Sequence, residues 1–391
     1  MPFVEPGRPS ELTEETRRLF REVYDGDAVA IARAPGRVNL IGEHTDYNGG
    51  LVLPVALPHA TYAAVAARDD RVLRIASGDD GEPWTGTIDD VGPGAVDGWA
   101  AYVGGVLWAL REDGIELPGM DVVVHGTVPL GAGLSSSAAL ECSVALAACG
   151  LVGLPVDDDL RHRLVAACIR AETQVAGAPT GGMDQSISLL AVADAALLID
   201  FDDDSSGPVP LHLSSAGLTL LVTDTRVEHA LVDGGYAARR ADCEAAADAL
   251  GVPTLRSATL ESVAGLSDER VRRRATHIVT EIARVSEVVD AVTAGDWAAV
   301  GRVFAASHAS MRDDFEISCP ELDLTVATAV EAGAIGARMT GGGFGGSAVA
   351  LVPTERLDAV VRAVDIAFAA AGFRSPQHLV AEPSGAAEVV A

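Results

Sequence analysis

The segment Gly126 to Glu141, GTVPLGAGLSSSAALE, restricts the fold of this chain more than any other. An alternating apolar run ends at a proline, a turn with two glycines follows, and three serines open an alanine-rich stretch. Alternation predicts a strand, and the stretch beyond Leu134 to about Cys149 predicts a helix, so a strand must be delivered through a tight turn to a helix N-terminus. Such a turn is an anion site. Gly131 and Gly133 let backbone N–H groups approach a phosphate, while the unpaired first-turn N–H groups and the helix dipole favour negative charge. Ser135, Ser136 and Ser137 add hydroxyls that reach phosphate or a metal, although serine is also common as a plain helix N-cap. A dinucleotide fingerprint needs glycine three positions after Gly133, where Ser136 stands, so a dehydrogenase is disfavoured.

Composition narrows the nucleotide chemistry. All 28 basic side chains are arginines, because the sequence contains no lysine. A Walker-type loop needs Gly-Lys-Ser/Thr and a protein-kinase site needs a strand lysine, so neither is built here. The 391 residues, 49% of them hydrophobic, exceed one average core and suit two packed domains sharing a cleft. A formal charge of −28, with acids spread along the chain, argues against nucleic acid and anionic membranes as partners. Cys142, Cys149, Cys168, Cys243 and Cys319 are odd in number and form no Cys-x-x-Cys pair. They read as small buried apolar residues in a reducing cytoplasm. The opening MPFVEPGRPSELTEETRRLF has early acids and no apolar segment, the wrong order for a secretory signal. The least charged long stretch, Cys142 to Val156, is too short to span a bilayer.

The rest of the chain reads as unevenly grouped strands and helices, which favours α+β over a doubly wound sheet. Residues 11–24 predict a surface helix, and Val29 to Ala34 a strand that halts at Pro35-Gly36. LVLPVAL and TYAAVAAR read as strands, DGWAAYVGGVLWALRED as a helix, and Asp158 to Val175 as another. The acidic DDDSSGPVP lies between two strand-like runs, and the domain division is expected near Ser205. From Asp233 to about Val330 the chain is helix-rich, then closes with ARMT, a glycine run, SAVALVP, a helix from Glu355 to Ala371 and a short strand near Gln377.

Three further segments carry candidate chemistry. RAPGRVNLIGEHTDYNGGLVLP, from Arg33 to Pro54, crowds arginines, Glu43, His44, Asp46, Tyr47 and Asn48 between apolar runs. A simple turn does not need that set, which fits the vicinal hydroxyls of a polar ligand; a solvated polar turn is the alternative, and a single histidine among carboxylates is not a zinc pattern. AETQVAGAPTGGMDQSISLL presents Glu172 and then Asp184 ahead of an apolar run. Asp184 fits either a helix cap or a carboxylate facing a reacting hydroxyl, with Glu172 on magnesium. ARMTGGGFGGSAVALVP holds Gly341, Gly342, Gly343, Gly345 and Gly346 around Phe344, either a hairpin needing positive φ or a loop packed over the phosphate turn.

In this order and spacing, the four segments resemble the galactokinases of the GHMP small-molecule kinase superfamily, over nearly the whole chain. GRVNLIGEHTDYNGGLVLP is similar to the galactokinase signature, whereas PLGAGLSSSAA and TGGGFGG are similar to motifs spread across the superfamily. VDGGYAARRADCE around Tyr236 and SHASMRDDFEIS from Ser307 to Ser318 also resemble galactokinase segments. The resemblance implies an α+β, two-domain GHMP kinase fold. A ribosomal-S5-like N-terminal domain (residues 1–205) and a ferredoxin-like C-terminal domain (206–391) would hold the active site between them.

The same resemblance implies phosphorylation of the C1 hydroxyl of galactose by ATP, with Mg²⁺ as cofactor. Glu43, His44, Thr45, Asp46, Gly182 and Tyr236 would bind the sugar. Gly131, Ala132, Gly133, Leu134, Ser135, Ser136 and Ser137 would cradle the ATP phosphates, and Ser137 with Glu172 would hold magnesium. Asp184 would take or orient the C1 proton, with Arg37 stabilising Asp184 and the developing phosphoryl charge. Two positions depart from the family pattern: Ala237 stands where asparagine is usual, and Gly182 where a larger apolar residue is frequent. The alternatives are a kinase for N-acetylgalactosamine or arabinose and a non-catalytic galactose sensor. The intact run Ser135 to Ala138 argues against the sensor, and EHTD favours galactose. No motif speaks to oligomeric state.

Overall fold

A computed structural model describes residues 3–78, 82–227 and 232–391. Helix α1 (Pro9–Tyr24) precedes β1 (Ala30–Asn39), β2 (Leu51–Val52), β3 (Pro54–Arg68), β4 (Val72–Ser77), β5 (Trp84–Thr87), α2 (Ala100–Glu112) and β6 (Gly119–Gly126). Beyond the glycine-serine turn come α3 (Ser136–Leu151), α4 (Asp158–Arg170), one π-helical turn (Ala171–Val175), α5 (Met183–Leu190), β7 (Ala195–Asp200), β8 (Ser205–Pro210) and β9 (Leu218–Asp224). Helices α6 (Val232–Leu250), α7 (Leu260–Ala264), α8 (Glu269–Ala294), α9 (Trp297–Asp313) and α10 (Pro320–Glu331) follow. The chain ends with β10 (Gly336–Thr340), β11 (Ser347–Pro353), α11 (Leu357–Ala371), β12 (Gln377–Val380) and β13 (Glu388–Val389).

Three sheets organise these elements: β13-β1-β3-β6-β4-β5, β10-β11-β9-β12 and β2-β7-β8. The first packs its alanine- and valine-rich face on α2, α3 and α4, burying Ala32, Val65, Val106, Leu146 and Leu164. Its other face covers Phe20 of α1. A second cluster crosses between the halves, since Val38, Leu53 and Leu134 share it with Val222, Val285, Phe304 and Val349. That shared apolar layer fixes the two halves against each other and so fixes the cleft between them. Among the described residues no helix is long and apolar enough to cross a membrane.

The division expected after residue 205 falls inside β8, whose first residue pairs with the last of β7, Asp200↔Ser205. The acidic tract is a hairpin tip within one sheet. The chain end also returns to the first sheet, with Ala32 facing Val389 in β13.

One local expectation is overturned where it matters most. Strand β1 does not halt at Pro35-Gly36 but runs on to Asn39, with its register against β3 slipping between Pro35 and Arg37. Proline-glycine reads as a turn because proline lacks an N–H, yet a bulge also leaves a residue unpaired and accepts the same dipeptide. Past the bulge, the Arg37 N–H donates to the Leu134 carbonyl at 3.1 Å. Strand and glycine-serine turn are thereby joined. A β-carbon on Gly36 would stand 2.6 Å from that same carbonyl oxygen.

Gly36→Ala should therefore force the strand and the glycine-serine turn apart, at about 1–3 kcal/mol, the usual range for overpacking. Thermal unfolding should show a lowered transition, and an unchanged transition would mean the two segments do not depend on this approach.

Candidate active site

A cleft of about 840 Å³ opens between the halves, lined by Arg37, Glu43, His44 and Asp46, by Glu172, Met183 and Asp184, and by Tyr236, Ala237, Gly341 and Gly342. Residues from all four candidate segments meet there or abut it.

Asp184 lies in the first turn of α5, whose N-cap Gly182 has φ 105°. Arg37 donates to both its oxygens, Nε to Oδ1 at 2.8 Å and Nη2 to Oδ2 at 2.9 Å, a bidentate pair that fixes distance and plane together. The Ser135 hydroxyl donates to Oδ2 at 2.6 Å. Ser135 is the N-cap of α3 but makes no side-chain cap, and its φ is 60°. The simple capping role open to it is thereby ruled out: it bends left-handed and turns its hydroxyl to Asp184.

The turn Gly131–Ser137 is clamped from outside. Gly131 and Gly133 sit at φ 73° and 70°, a backbone region glycine adopts at no steric cost. The Ala132 carbonyl accepts from Ser347 Oγ at 2.7 Å, and the Gly133 carbonyl from Arg37 Nη1 at 2.5 Å. Ala132 and Leu134 are buried anchors, while Ser136 and Ser137 are half-buried at the head of α3.

The polar loop divides its residues between cleft and support. Glu43 is almost fully buried, paired with Arg338, and its Oε1 accepts the Gly341 N–H at 3.2 Å. Burial pushes its carboxyl upward and Arg338 opposes that. His44 has φ 64°, Nδ1 is 2.8 Å from the Tyr47 hydroxyl and Nε2 is 3.2 Å from the Gly342 carbonyl. A carbonyl only accepts, so Nε2 carries the hydrogen and Nδ1 accepts from Tyr47. Burial holds the imidazole neutral, its pKa pulled down to about 3. Its ring packs on Tyr236 at 5.0 Å and Phe315 at 4.9 Å, so His44 builds the aromatic wall with its nitrogens already engaged.

Two candidates for sugar contact do not reach the cleft. Thr45 is fully buried and its hydroxyl donates to the Gly42 and Leu51 carbonyls at 2.8 and 2.6 Å, which closes the turn. Gly182 is a helix cap whose β-carbon would meet Ile169 at 2.7 Å. Met183 lines the cleft in its place. The neighbouring Gly181 was not singled out, yet a β-carbon there would stand 2.1 Å from Asp46 Oδ2. Glycine is needed there for Asp46 to enter. Burial first, and the Asp184 charge with it, push Asp46 up to about 6.

Glu172 sits in the π-helical turn, a widening of the helix that recurs at functional sites. Ser137 is hydrogen-bonded to it, and burial followed by the Asp184 charge pushes it up to about 7. A hydroxyl oxygen beside a carboxylate short of positive charge fits a hard cation that keeps most of its shell on water and phosphate. Among the described residues no group of three or more His, Cys, Asp or Glu could hold a metal without such help. Beneath it, Gln185 Nε2 donates to Glu172 at 2.5 Å and to the fully buried Glu141 at 3.1 Å. Sequence reasoning passed over Gln185, Glu141, Arg338 and Glu281. For Arg338 a signal existed, an arginine in the short apolar strand leading into the glycine run.

Residues 101–191 match the GHMP kinases N terminal domain and residues 288–370 the GHMP kinases C terminal model. A mevalonate kinase structure from Methanococcus jannaschii superposes with a TM-score of 0.68 at 15% identity, over 92% of this chain and 99% of the other, which speaks to fold. The molecule is a two-domain α+β kinase of the GHMP class. Residues 18–67 match the galactokinase galactose-binding signature. A galactokinase of Streptomyces coelicolor is 51% identical over 376 residues, covering 94% of this chain and 96% of its own. The structure of Lactococcus lactis galactokinase complexed with galactose superposes with a TM-score of 0.90 at 30% identity, over 96% of this chain and 99% of the other. The chain belongs to the galactokinase family and is a sugar kinase, a phosphotransferase.

The upward shift of Glu172 has a sign in stability. Its native carboxyl ionises near pH 7 instead of the ordinary 4.5, so ionisation works against the metal-free fold, with the cost growing from about pH 5 and complete above 7. A shift of that size corresponds to roughly 3 kcal/mol. With chelator present, Glu172→Gln should unfold at a higher temperature than the unmutated protein at pH 8, the gap narrowing toward pH 5. A gap independent of pH would show that Glu172 is not the group responsible.

Proposed function

We propose that the chain transfers the γ-phosphoryl group of ATP to the C1 hydroxyl of α-D-galactose, giving galactose 1-phosphate and ADP. The observation that carries this reading is the junction of Arg37, Asp184 and Ser135, where a carboxylate facing a polar cleft is bonded directly to the phosphate turn. A sugar hydroxyl in the cleft and a nucleotide on the turn would meet across that junction.

In this reading Glu43, Asp46 and Tyr236 hold the sugar by its hydroxyls, with His44 and Met183 shaping the walls. Asp184 accepts a hydrogen bond from the C1 hydroxyl and takes its proton as the oxygen bonds to phosphorus. Little base strength is needed when the transition state is loose, so orientation is the larger contribution. Arg37 spends three of its five N–H groups on Asp184 and Gly133, and the other two face the oxygens of the transferring group. Helix α3 and the N–H groups of Gly131 to Ser137 receive the remaining phosphate charge. Ser137 and Glu172 would hold Mg²⁺, which neutralises phosphate charge when bound. The five free thiols support a reducing cytoplasm. For the domain division we propose the link between β8 and β9, with the returning chain end counted with the first domain.

The purified protein, incubated with ATP, magnesium and in turn galactose, N-acetylgalactosamine and arabinose, should give a phosphorus signal of a sugar 1-phosphate first and fastest with galactose. Preference for either rival sugar would replace the substrate assignment. Asp184→Asn keeps shape but removes the charge, and should lower turnover about 10²–10⁴-fold while calorimetry still shows galactose and ATP binding. Retention of more than about a tenth of turnover would exclude a base contribution of that size.

A further inference from the structure

Arg338 stands in the middle of β10 with its side chain fully buried. A guanidinium has five N–H donors and no acceptor, and away from water each needs a partner. Nε donates to Ser307 Oγ on α9 at 3.2 Å, Nη1 to the Leu40 carbonyl at 2.8 Å, and Nη2 to Glu43 and to Glu281 Oε1 on α8 at 3.2 Å. Glu281 in turn accepts from the Ser307 hydroxyl at 2.6 Å, from the Gly42 N–H at 3.2 Å and from Arg284 at 3.0 Å. Two arginines thus face two glutamates, with no net charge left in the core.

Such a network is a weak source of stability, because well-packed apolar residues of the same volume commonly do as well or better. Its placement is what distinguishes it. Helices α8 and α9 and strand β10 all belong to the C-terminal half, and everything they hold through Arg338 converges on residues 40–43 of the N-terminal half. The other Glu43 oxygen accepts the N–H of Gly341. A β-carbon on Gly341 would lie 3.1 Å from the Gly133 carbonyl, so the glycine run also touches the phosphate turn.

We propose that Arg338 is a positioning residue for sugar recognition. By holding one Glu43 oxygen while the Gly341 N–H holds the other, it fixes the lone-pair directions left for a sugar hydroxyl. Each carboxylate oxygen accepts from two directions, so one remains on each after these bonds form. Without the arginine the carboxylate rotates toward whatever donor is nearest, and the sugar meets an acceptor that is present but misdirected. The proposal rests on the assignment of Glu43 to the sugar.

Calorimetric titration of Arg338→Met with galactose and, separately, with ADP tests it. Galactose affinity should fall about tenfold or more, the worth of a hydrogen bond to a charged group, while ADP affinity stays within about threefold. Arg338→Lys keeps the charge but not the planar fork and should fall between the two. A merely structural role predicts another pattern, in which the fraction of competent protein drops and the survivors bind galactose with unchanged affinity; that result overturns the proposal. Should Arg338→Met fail to fold, Ser307→Ala removes only the Nε contact and the hydroxyl that steadies Glu281. Its galactose affinity should weaken by about threefold or more with ADP binding intact. No loss, or equal loss for both ligands, overturns the proposal. An unmutated protein that binds no galactose would instead sink the substrate reading, and this inference with it.

Discussion

The pair between Arg37 and Asp184 bridges 147 positions of sequence, and the rest of the site is arranged around it. Arg37 is delivered by a bulge in β1, Asp184 by the start of α5, and the turn before α3 is bonded to both through the Gly133 carbonyl and the Ser135 hydroxyl. A partly buried ion pair gains over its desolvation cost only when its remaining donors and acceptors are satisfied. Here the glycine-serine turn takes one further Arg37 N–H and gives Asp184 a third donor, leaving two Arg37 N–H groups toward the cleft. Moving any one of the three segments breaks hydrogen bonds that it makes to the others, which ties down a loop with two left-handed glycines.

Charge around this pair is deliberately unbalanced. Asp46, Glu172 and Glu141 crowd the cleft and its floor, and burial raises all three above the ordinary carboxylate range. Carboxyls left so short of positive charge ionise only at a cost. The molecule carries the cost as lost stability in the metal-free state. By contrast, Glu43 and Glu281 face arginines and form a neutral network that fixes geometry without inviting a cation. Two kinds of buried acid therefore stand close together, one short of positive charge and the other paired with arginine.

Backbone strain recurs in the loops of the cleft. His44, Ser135 and Phe344 are non-glycine residues at φ 64°, 60° and 62°, one in each of three motif loops. Each costs on the order of 1–3 kcal/mol unless its surroundings impose it. His44 is held by Tyr47 and Gly342, Ser135 by Asp184, and the Phe344 N–H by the Ile317 carbonyl. At these three positions the direction of a side chain or N–H matters more than local ease.

The sequence by itself determined the inventory. The glycine-serine turn before an alanine-rich helix, the missing lysines, and the acids beside His44 point to a phosphate site and a polyhydroxyl site through local rules of backbone conformation and donor count. Tertiary structure decided the assignments within that inventory. Thr45 and Gly182 belong to motifs yet serve turn closure and helix packing, because neighbouring carbonyls and Ile169 occupy the space on their side. Gly181 and Arg338 read as ordinary residues until Asp46 and Glu43 are placed against them across the fold. Pro35-Gly36 reads as a stop because the missing N–H is a local fact, whereas the β3 partner of Pro35, Ala60, lies 25 residues along the chain. Local chemistry is written in adjacent residues, but which lone pair faces the cleft depends on contacts between segments that only packing brings together.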